Sequence, residues 1–189
     1  MTDTAGPSFG PTALATPANA LTVLRLLGTP VFIALIVHLG ANWWTVAFGV
    51  VVAGTDGIDG WLARRQGTTR SGAFLDPLAD KVVVLSALFL LSYQHVLPWV
   101  PVILIGAREF LMSVYRSLLG RRGVSIPARN SAKVKTLVQD LAIGTCLIPP
   151  LAPHHDLQLA AIWVAAALTV ATGLQYLADG RRLGAPAAR

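Results

Sequence analysis

Six apolar segments fill most of this 189-residue sequence, and they constrain its fold more than any other feature. A stretch of about 20 apolar residues is long enough to cross the hydrocarbon core of a bilayer as a helix. Hydrophobic residues make up 54% of the chain and charged residues 13%, about half the charged share of a soluble domain. The segments span residues 17–39, 42–65, 71–93, 98–119, 130–150 and 157–177. The sequence therefore predicts an all-α, polytopic membrane protein with six transmembrane helices.

Lysine and arginine are unevenly shared among the links, which predicts the orientation. Three links contain neither residue; they lie near Gly40, His95 and His154. Nearly all fifteen basic residues lie in residues 64–70, in residues 116–135 and in the tail from 181. Because positively charged links stay on the cytoplasmic side, we expect a multi-pass protein of the inner or plasma membrane with both termini in the cytoplasm.

The domain organisation follows from the same pattern. Residues 1–16 contain no lysine or arginine and are rich in Thr, Ala, Gly and Pro, which predicts a disordered cytoplasmic tail. Residues 17–180 form a single six-helix domain in this prediction, and residues 181–189 a basic cytoplasmic tail. The only cysteine, Cys146, lies in an apolar run, so no disulfide framework is expected within the chain.

Four of the nine acidic residues are concentrated where the second segment ends and the third begins; they are Asp56, Asp59, Asp76 and Asp80. A carboxylate in such apolar surroundings costs about 2.5–3.5 kcal/mol unless something compensates it. Asp56 and Asp59 are three residues apart, and Asp76 and Asp80 are four apart. On a helix, either spacing puts both members of the pair on one face. Four hard oxygen donors suit Mg²⁺ or Mn²⁺, and two such ions could clamp a diphosphate.

The residues around these aspartates favour a phosphate ligand. Gly60 keeps the helix surface thin, so that backbone and ligand can approach closely. Arg64, one turn later, can form a forked pair of hydrogen bonds with a phosphate group.

The whole stretch resembles the signature of the CDP-alcohol phosphotransferase family, D-x-x-D-G-x-x-A-R followed by G-x-x-x-D-x-x-x-D. Every fixed position is filled, by Asp56, Asp59, Gly60, Ala63, Arg64, Gly72, Asp76 and Asp80. The spacer of seven residues, 65–71, is slightly shorter than the family's.

The resemblance implies roles for these residues. Asp56, Asp59 and Asp76 would bind metal, and Asp80 would act as the general base and also touch a metal. The donor would be CDP-diacylglycerol, bound by Gly60, Arg64 and Thr69 and by an N-x-x-T element, Asn19 and Thr22. Asn19 and Thr22 could instead cap the first helix. The resemblance also implies a cytoplasm-facing polar active-site cavity and a homodimer.

A second set of charges lies within the later apolar segments. Arg108 and Glu109 are adjacent, and Arg116 follows seven residues after Glu109. Lys133 and Lys135 open the fifth segment. We expect Arg108, Arg116, Lys133 and Lys135 to bind an anionic acceptor. The alternative is a collar of cations reaching towards the interface, with Glu109 paired to one of them.

Within the family, the elements R-E-F and A-K-V-K-T-L-V-Q are most similar to those of the phosphatidylglycerophosphate synthases, although Ala132 stands where that subgroup often has glycine. This similarity implies metal-dependent transfer of a phosphatidyl group from CDP-diacylglycerol to sn-glycerol 3-phosphate, with release of CMP and formation of phosphatidylglycerophosphate.

Three alternatives stay open. The same motif serves a cardiolipin synthase, which uses phosphatidylglycerol, and a phosphatidylinositol phosphate synthase. Intramembrane carboxylates also mark cation transporters. A transporter is disfavoured because the aspartates cluster on one side of the membrane. The net charge of +6 fits contact with anionic membrane lipids rather than with nucleic acid.

Overall fold

The computed structural model describes residues 17–66, 70–121 and 130–184, with side chains placed for Ala20, 22–55, 79–118 and 134–178. These residues form six α-helices and no strand, which confirms the all-α prediction. The helices are α1 (Pro17–Leu39), α2 (Trp43–Gln66), α3 (Arg70–Tyr93), α4 (Trp99–Arg121), α5 (Asn130–Leu147) and α6 (His155–Gly184).

Local sequence signals set the turn between α1 and α2. Gly40 adopts a left-handed φ of 57°, and its N–H donates to the Ile36 carbonyl at 3.1 Å, which closes the end of α1. Asn42 lies just before α2 and accepts a hydrogen bond from the Trp44 N–H at 2.9 Å through its side chain. This is the geometry of an N-cap, so α2 begins where its first unpaired N–H groups find an acceptor.

The last two helices differ from their predicted bounds. α5 ends at Leu147 rather than at residue 150, because Pro149 and Pro150 cannot continue the helix and disfavour it in the residue before them. α6 begins at His155 and continues to Gly184, well past the predicted end at residue 177. The first part of the predicted basic tail, residues 181–184, is therefore helical.

The described helices separate into two compact units. The first contains α1, α2 and α3 as far as Ala87, together with Leu147–Pro149. The second contains the end of α3 from Leu88, then α4, α5 as far as Cys146, and α6. The single domain predicted for residues 17–180 stays a prediction.

In the first unit, α1 and α2 pack through rings and small residues. The Phe32 and Phe48 rings stack with their centroids 6.4 Å apart. A Cβ on Gly49 would lie 2.9 Å from the Phe32 ring, so only glycine leaves room for that ring. The buried residues of α1 recur every three or four positions, as one helix face requires; they are Thr22, Arg25, Thr29, Phe32 and Ile36.

In the second unit, each of the three long helices buries one stripe that passes from apolar to polar. On α4 the stripe runs from Val102 and Ile105 to Glu109. On α5 it runs from Ala142 back to Gln139 and Lys135, and on α6 from Ile162 to Thr169. The polar residues on the three stripes therefore belong to the buried interior of this unit.

Two helices of the described part are long and apolar enough to cross a membrane by length and composition, over Thr22–Leu39 and His155–Ala178. A shorter apolar helical stretch covers Trp43–Thr55. These features agree with a membrane protein, whereas the number of six spans stays a prediction.

Candidate functional site

The four motif aspartates lie on helices, as their spacing assumed. Asp56 and Asp59 are in α2, and Asp76 and Asp80 are in α3. Side chains from residue 56 to 78 lie outside the described ones, so the predicted roles of the first three aspartates, Gly60 and Arg64 stay predictions. Asp80 is half-buried. Among described residues no group of three or more potential ligands of the His, Cys, Asp or Glu type is found.

Three further residues predicted to contact CDP-diacylglycerol are Asn19 and Thr22 on α1 and Thr69 after α2 in sequence. Thr22 is the sixth residue of α1 and is fully buried, so it does not cap that helix. Its predicted contact with the substrate stays open. The side chain of Asn19 and the whole of Thr69 lie outside the described residues.

Arg25 is a buried cation for which the sequence suggested no role. It is 2% exposed, and its Nε donates to Thr55 Oγ1 at 3.1 Å. Thr55 directly precedes Asp56, so this guanidinium lies beside the helical turn that leads into the aspartate motif. A lone arginine within an apolar run, three residues after Thr22 on the same face, was the available signal.

The second unit contains an ionic cluster centred on the buried Glu109, which we call the Glu109 cluster: Arg108, Glu109, Lys135 and Thr172. Glu109 Oε1 accepts a hydrogen bond from Arg108 Nη1 at 2.8 Å and another from Lys135 Nζ. The side chains of Glu109 and Lys135 are 5% and 9% exposed. One carboxylate oxygen from α4 therefore pairs with a cation of its own helix and with a cation of α5.

The guanidinium of Arg108 also forms a hydrogen bond with α6. Its Nη2 donates to Thr172 Oγ1 at 3.1 Å, while Nε is buried without an acceptor among the described residues. The side chain lies on Gly173, where an added Cβ would be 3.0 Å from Nε and 3.3 Å from Cγ. A Cβ at this place would displace the arginine by a few tenths of an ångström, so the glycine lets the arginine pass this close to the α6 backbone.

A hydrogen bond between two neutral side chains lies next to the Glu109 cluster and joins α5 to α6. Gln139 lies one turn after Lys135 on α5, and its Nε2 donates to Thr169 Oγ1 at 2.8 Å. Both residues are buried. Thr169 and Thr172 are three residues apart on α6, so this helix supplies an acceptor to each of the other two.

The other two predicted acceptor residues lie outside the Glu109 cluster or outside the description. Arg116 is exposed, and its guanidinium lies over the Tyr176 ring at 5.6 Å from the centroid. Tyr115 meets the same ring edge-on, with centroids 6.2 Å apart. Lys133 belongs to α5, but its side chain lies outside the described ones. The structure thus brings Arg108 and Lys135 together and places Arg116 on an exposed aromatic stack.

The electrostatics of the Glu109 cluster favour an anionic ligand. Among the described contacts, two cations meet one carboxylate, which leaves a net charge of +1. Lys135 and Glu109 are buried and Arg108 is half-buried, and unbalanced charge is costly in such a setting. A guanidinium has five N–H hydrogens, and two of those on Arg108 go to Glu109 and Thr172. The remaining three have no acceptor in the described part of the chain. Such a set of donors can form charge-assisted hydrogen bonds with a phosphate.

Sequence reasoning assigned nothing to α6, although this helix contributes three residues around the cluster. Thr169, Thr172 and Gly173 share a face and interrupt an otherwise apolar run. Small and hydroxyl-bearing residues in such a run are typical of helix contacts in membranes. Their spacing was the signal that could have identified them.

Comparison with known proteins gives the family. The family model described as CDP-alcohol phosphatidyltransferase matches residues 15–171 of the chain. The chain belongs to the CDP-alcohol phosphatidyltransferase family. This match confirms the family that the aspartate signature resembled. Members of this family are membrane-associated enzymes that transfer phosphatidyl groups.

The chain aligns with individual members of the family over most of its length. The chain is 40% identical over 183 residues to a probable phosphatidylglycerophosphate synthase of Mycobacterium tuberculosis (strain H37Rv), covering 94% of this chain and 87% of that protein. It is 38% identical over 170 residues to the CDP-diacylglycerol–glycerol-3-phosphate 3-phosphatidyltransferase of Escherichia coli (strain K12), covering 85% and 92% respectively. A protein of the same name from Pseudomonas fluorescens is 39% identical over 170 residues, covering 84% and 87%.

Proposed function

We propose that the protein transfers the phosphatidyl group of CDP-diacylglycerol to sn-glycerol 3-phosphate, releasing CMP and forming phosphatidylglycerophosphate. The names of its relatives, at 38–40% identity over most of the chain, support this reaction. The observation that carries the choice of acceptor is the pair of cations on Glu109, the buried Lys135 and the half-buried Arg108, because sn-glycerol 3-phosphate brings a phosphate that needs such donors.

The donor site is assigned to the aspartate motif. Four carboxylates on two helices form a set of hard oxygen donors, which fits two Mg²⁺ or Mn²⁺ ions. Asp56, Asp59, Asp76 and Asp80 would hold them. When bound, the ions would polarise the phosphoryl group and stabilise the charge of the departing CMP. Arg64, Gly60, Thr69, Asn19 and Thr22 would hold the rest of the donor.

The transfer itself needs a base. An oxygen of the acceptor forms a bond with the phosphorus of the phosphatidyl group, and the bond from that phosphorus to the oxygen that leaves with CMP breaks. The acceptor hydroxyl loses its proton in this step, and Asp80 is the proposed recipient. Asp80 is half-buried on α3, where a carboxylate can be shielded from bulk water.

The acceptor site is assigned to the Glu109 cluster, with Arg108 and Lys135 as the residues that hold the phosphate. The three uncommitted N–H hydrogens of Arg108 and two on Lys135 would donate to its oxygens. Lys133 and the exposed Arg116 complete the proposed set and would draw the anion towards Arg108 and Lys135.

The same proposal covers placement in the membrane. The helices contain 18 to 30 residues, and at 1.5 Å per residue they are about 27 to 45 Å long, comparable with a hydrocarbon core of about 30 Å. Six spans, both termini in the cytoplasm, a polar cavity open to the cytoplasm and a homodimer make up this part of the proposal. Single cysteines introduced at Thr4 and Ala185 should react with an impermeant maleimide only after the cells are opened. Reaction in intact cells would reverse the orientation.

The acceptor is tested by CMP release from CDP-diacylglycerol with purified protein. Release should require sn-glycerol 3-phosphate and should not occur with phosphatidylglycerol, with inositol phosphate or without acceptor. Release with phosphatidylglycerol alone would instead indicate a cardiolipin synthase. Cation flux into vesicles without any CMP release would indicate a transporter.

The metal is tested by chelation. Excess EDTA should abolish CMP release, and Mg²⁺ or Mn²⁺ should restore it, because the donor's diphosphate would otherwise face four carboxylates. Full activity in excess EDTA would refute the metal assignment.

A further inference from the structure

We infer that Glu109 is a positioning residue of the acceptor site: its carboxylate fixes Arg108 and Lys135 in the arrangement that receives the acceptor's phosphate, without touching the acceptor itself. This inference rests on the proposed function. It assigns a role to the only glutamate in the chain, whose carboxylate pairs with the two cations proposed to bind the acceptor's phosphate.

The first step is geometric. Arg108 lies on α4 and Lys135 on α5, 27 positions apart in sequence, and both donate to the same oxygen, Oε1 of Glu109. Both are long side chains with about 2 kcal/mol of rotamer entropy. A shared acceptor removes that freedom in advance, so that the phosphate does not have to order them on binding.

The second step concerns charge. A carboxylate would repel a phosphate, so Glu109 cannot be a direct ligand for it. A purely structural ion pair would be neutral, with one cation on one carboxylate, whereas among the described contacts two cations meet one carboxylate. An excess charge of +1 is costly in a largely buried place and favours an anion as a further partner. An anion that binds to the same two cations would complete the balance.

The third step concerns the other supports of the pair. Arg108 is also held by Thr172 and lies against Gly173, whereas in the described part of the chain Lys135 is held by Glu109. Removing the carboxylate should therefore displace Lys135 more than Arg108. Glu109 is then expected to act mainly through Lys135.

A double-mutant cycle tests this route. Glu109→Gln should raise the KM for sn-glycerol 3-phosphate about tenfold or more, the effect of one lost charge-assisted hydrogen bond, and leave the KM for CDP-diacylglycerol within about twofold. Lys135→Met should have a similar effect. Since Glu109 acts through Lys135, the double variant should be no worse than Lys135→Met alone, within about twofold.

Two further variants control the cycle. Glu109→Asp keeps the carboxylate on a shorter stem and should give an intermediate KM for the acceptor. Asp156→Asn makes the same carboxylate-to-amide change at an exposed position in the first turn of α6 and should change neither KM. If Glu109→Gln does not yield folded protein, Glu109→Asp takes its place in the cycle.

The inference is overturned if Glu109→Gln leaves the acceptor KM unchanged, lowers it, or raises both KM values equally. It is also overturned if the effects of Glu109→Gln and Lys135→Met multiply in the double variant. The proposed function fails separately, when the wild-type protein releases no CMP with sn-glycerol 3-phosphate.

Discussion

In both the α1–α2 contact and the α4–α6 contact, a glycine on one helix leaves room for a large side chain of the other helix. We call such a glycine position a seat. On α2, a Cβ at Gly49 would lie 2.9 Å from the Phe32 ring. On α6, a Cβ at Gly173 would lie 3.0 Å from Arg108 Nε. The first seat holds an apolar ring, whereas the second holds a guanidinium.

The two regions differ in the further contacts that the large side chain makes. The Phe32 ring stacks on Phe48, so its close approach is complete as packing. Arg108 is tied at both ends, to Glu109 and Thr172, yet keeps a buried Nε without an acceptor in the described part of the chain. An unsatisfied buried donor costs about 1–3 kcal/mol, which packing has no reason to retain. We therefore expect the α1–α2 seat to serve stability and the α4–α6 seat to serve ligand binding.

The largest expected effect comes from removing the seated cation. Arg108→Ala should raise the KM for sn-glycerol 3-phosphate about tenfold to a hundredfold, because one or more charge-assisted hydrogen bonds of about 1.5–3 kcal/mol are lost. The KM for CDP-diacylglycerol should change little. Steady-state CMP release, with one substrate varied at a time, measures both. Arg182→Ala, a cation of the predicted basic tail, is the matched control, and equal losses for both substrates would make Arg108 structural.

The second effect should appear in stability alone. Gly49→Ala forces the Phe32 ring to move, and overpacking of this kind costs about 1–3 kcal/mol, partly offset by about 1 kcal/mol of helix propensity. The unfolding midpoint in detergent should fall by about 2–4 °C, with both KM values unchanged. Gly28→Ala is the control, since its Cβ would lie 3.6 Å from Val52, an ordinary contact. A shifted KM would join this region to the site.

The third effect is the counterpart on α6. Gly173→Ala pushes Arg108 by a few tenths of an ångström, and we expect the acceptor KM to rise about threefold to tenfold, part of the value of one charged hydrogen bond. Stability should change less than in Gly49→Ala, because the flexible arginine can yield where the ring cannot. The same kinetic assay and thermal melts compare the two variants. A loss of stability with normal kinetics would erase the distinction between the two seats.

The smallest effect concerns the exposed stack near the end of α4. Tyr176→Leu removes the ring beneath Arg116, and an exposed cation–π contact contributes about 0.5–1 kcal/mol. We expect the acceptor KM to rise about twofold to fivefold, more strongly at low salt, since long-range attraction of the anion is screened. Measurement at two ionic strengths separates this effect from packing. An unchanged KM at both would remove Arg116 from the proposed set of acceptor residues.

Much of the fold could be predicted from sequence because its signals are local. The eight starts and ends of α1 to α4 all fall within two residues of the predicted bounds, since apolar runs, Gly40, Asn42 and the outer links mark them. The ends of α5 and α6 were placed less well. Pro149 and Pro150 were visible as helix breakers but were included in the fifth segment, and the polar end of α6 continues as a helix beyond its apolar run.

The sequence by itself determined the family, the helical class and the identity of the charged residues, because a motif of fixed spacing and an apolar repeat depend only on neighbours along the chain. It left open which cation Glu109 would pair with, since Arg108, Arg116 and the lysines of α5 were all available. Only the tertiary structure decided that Arg108 and Lys135 share one oxygen while Arg116 lies on Tyr176. That choice depends on how α4, α5 and α6 are rotated and packed, and contacts between residues far apart in sequence cannot be read from the spacing within one helix.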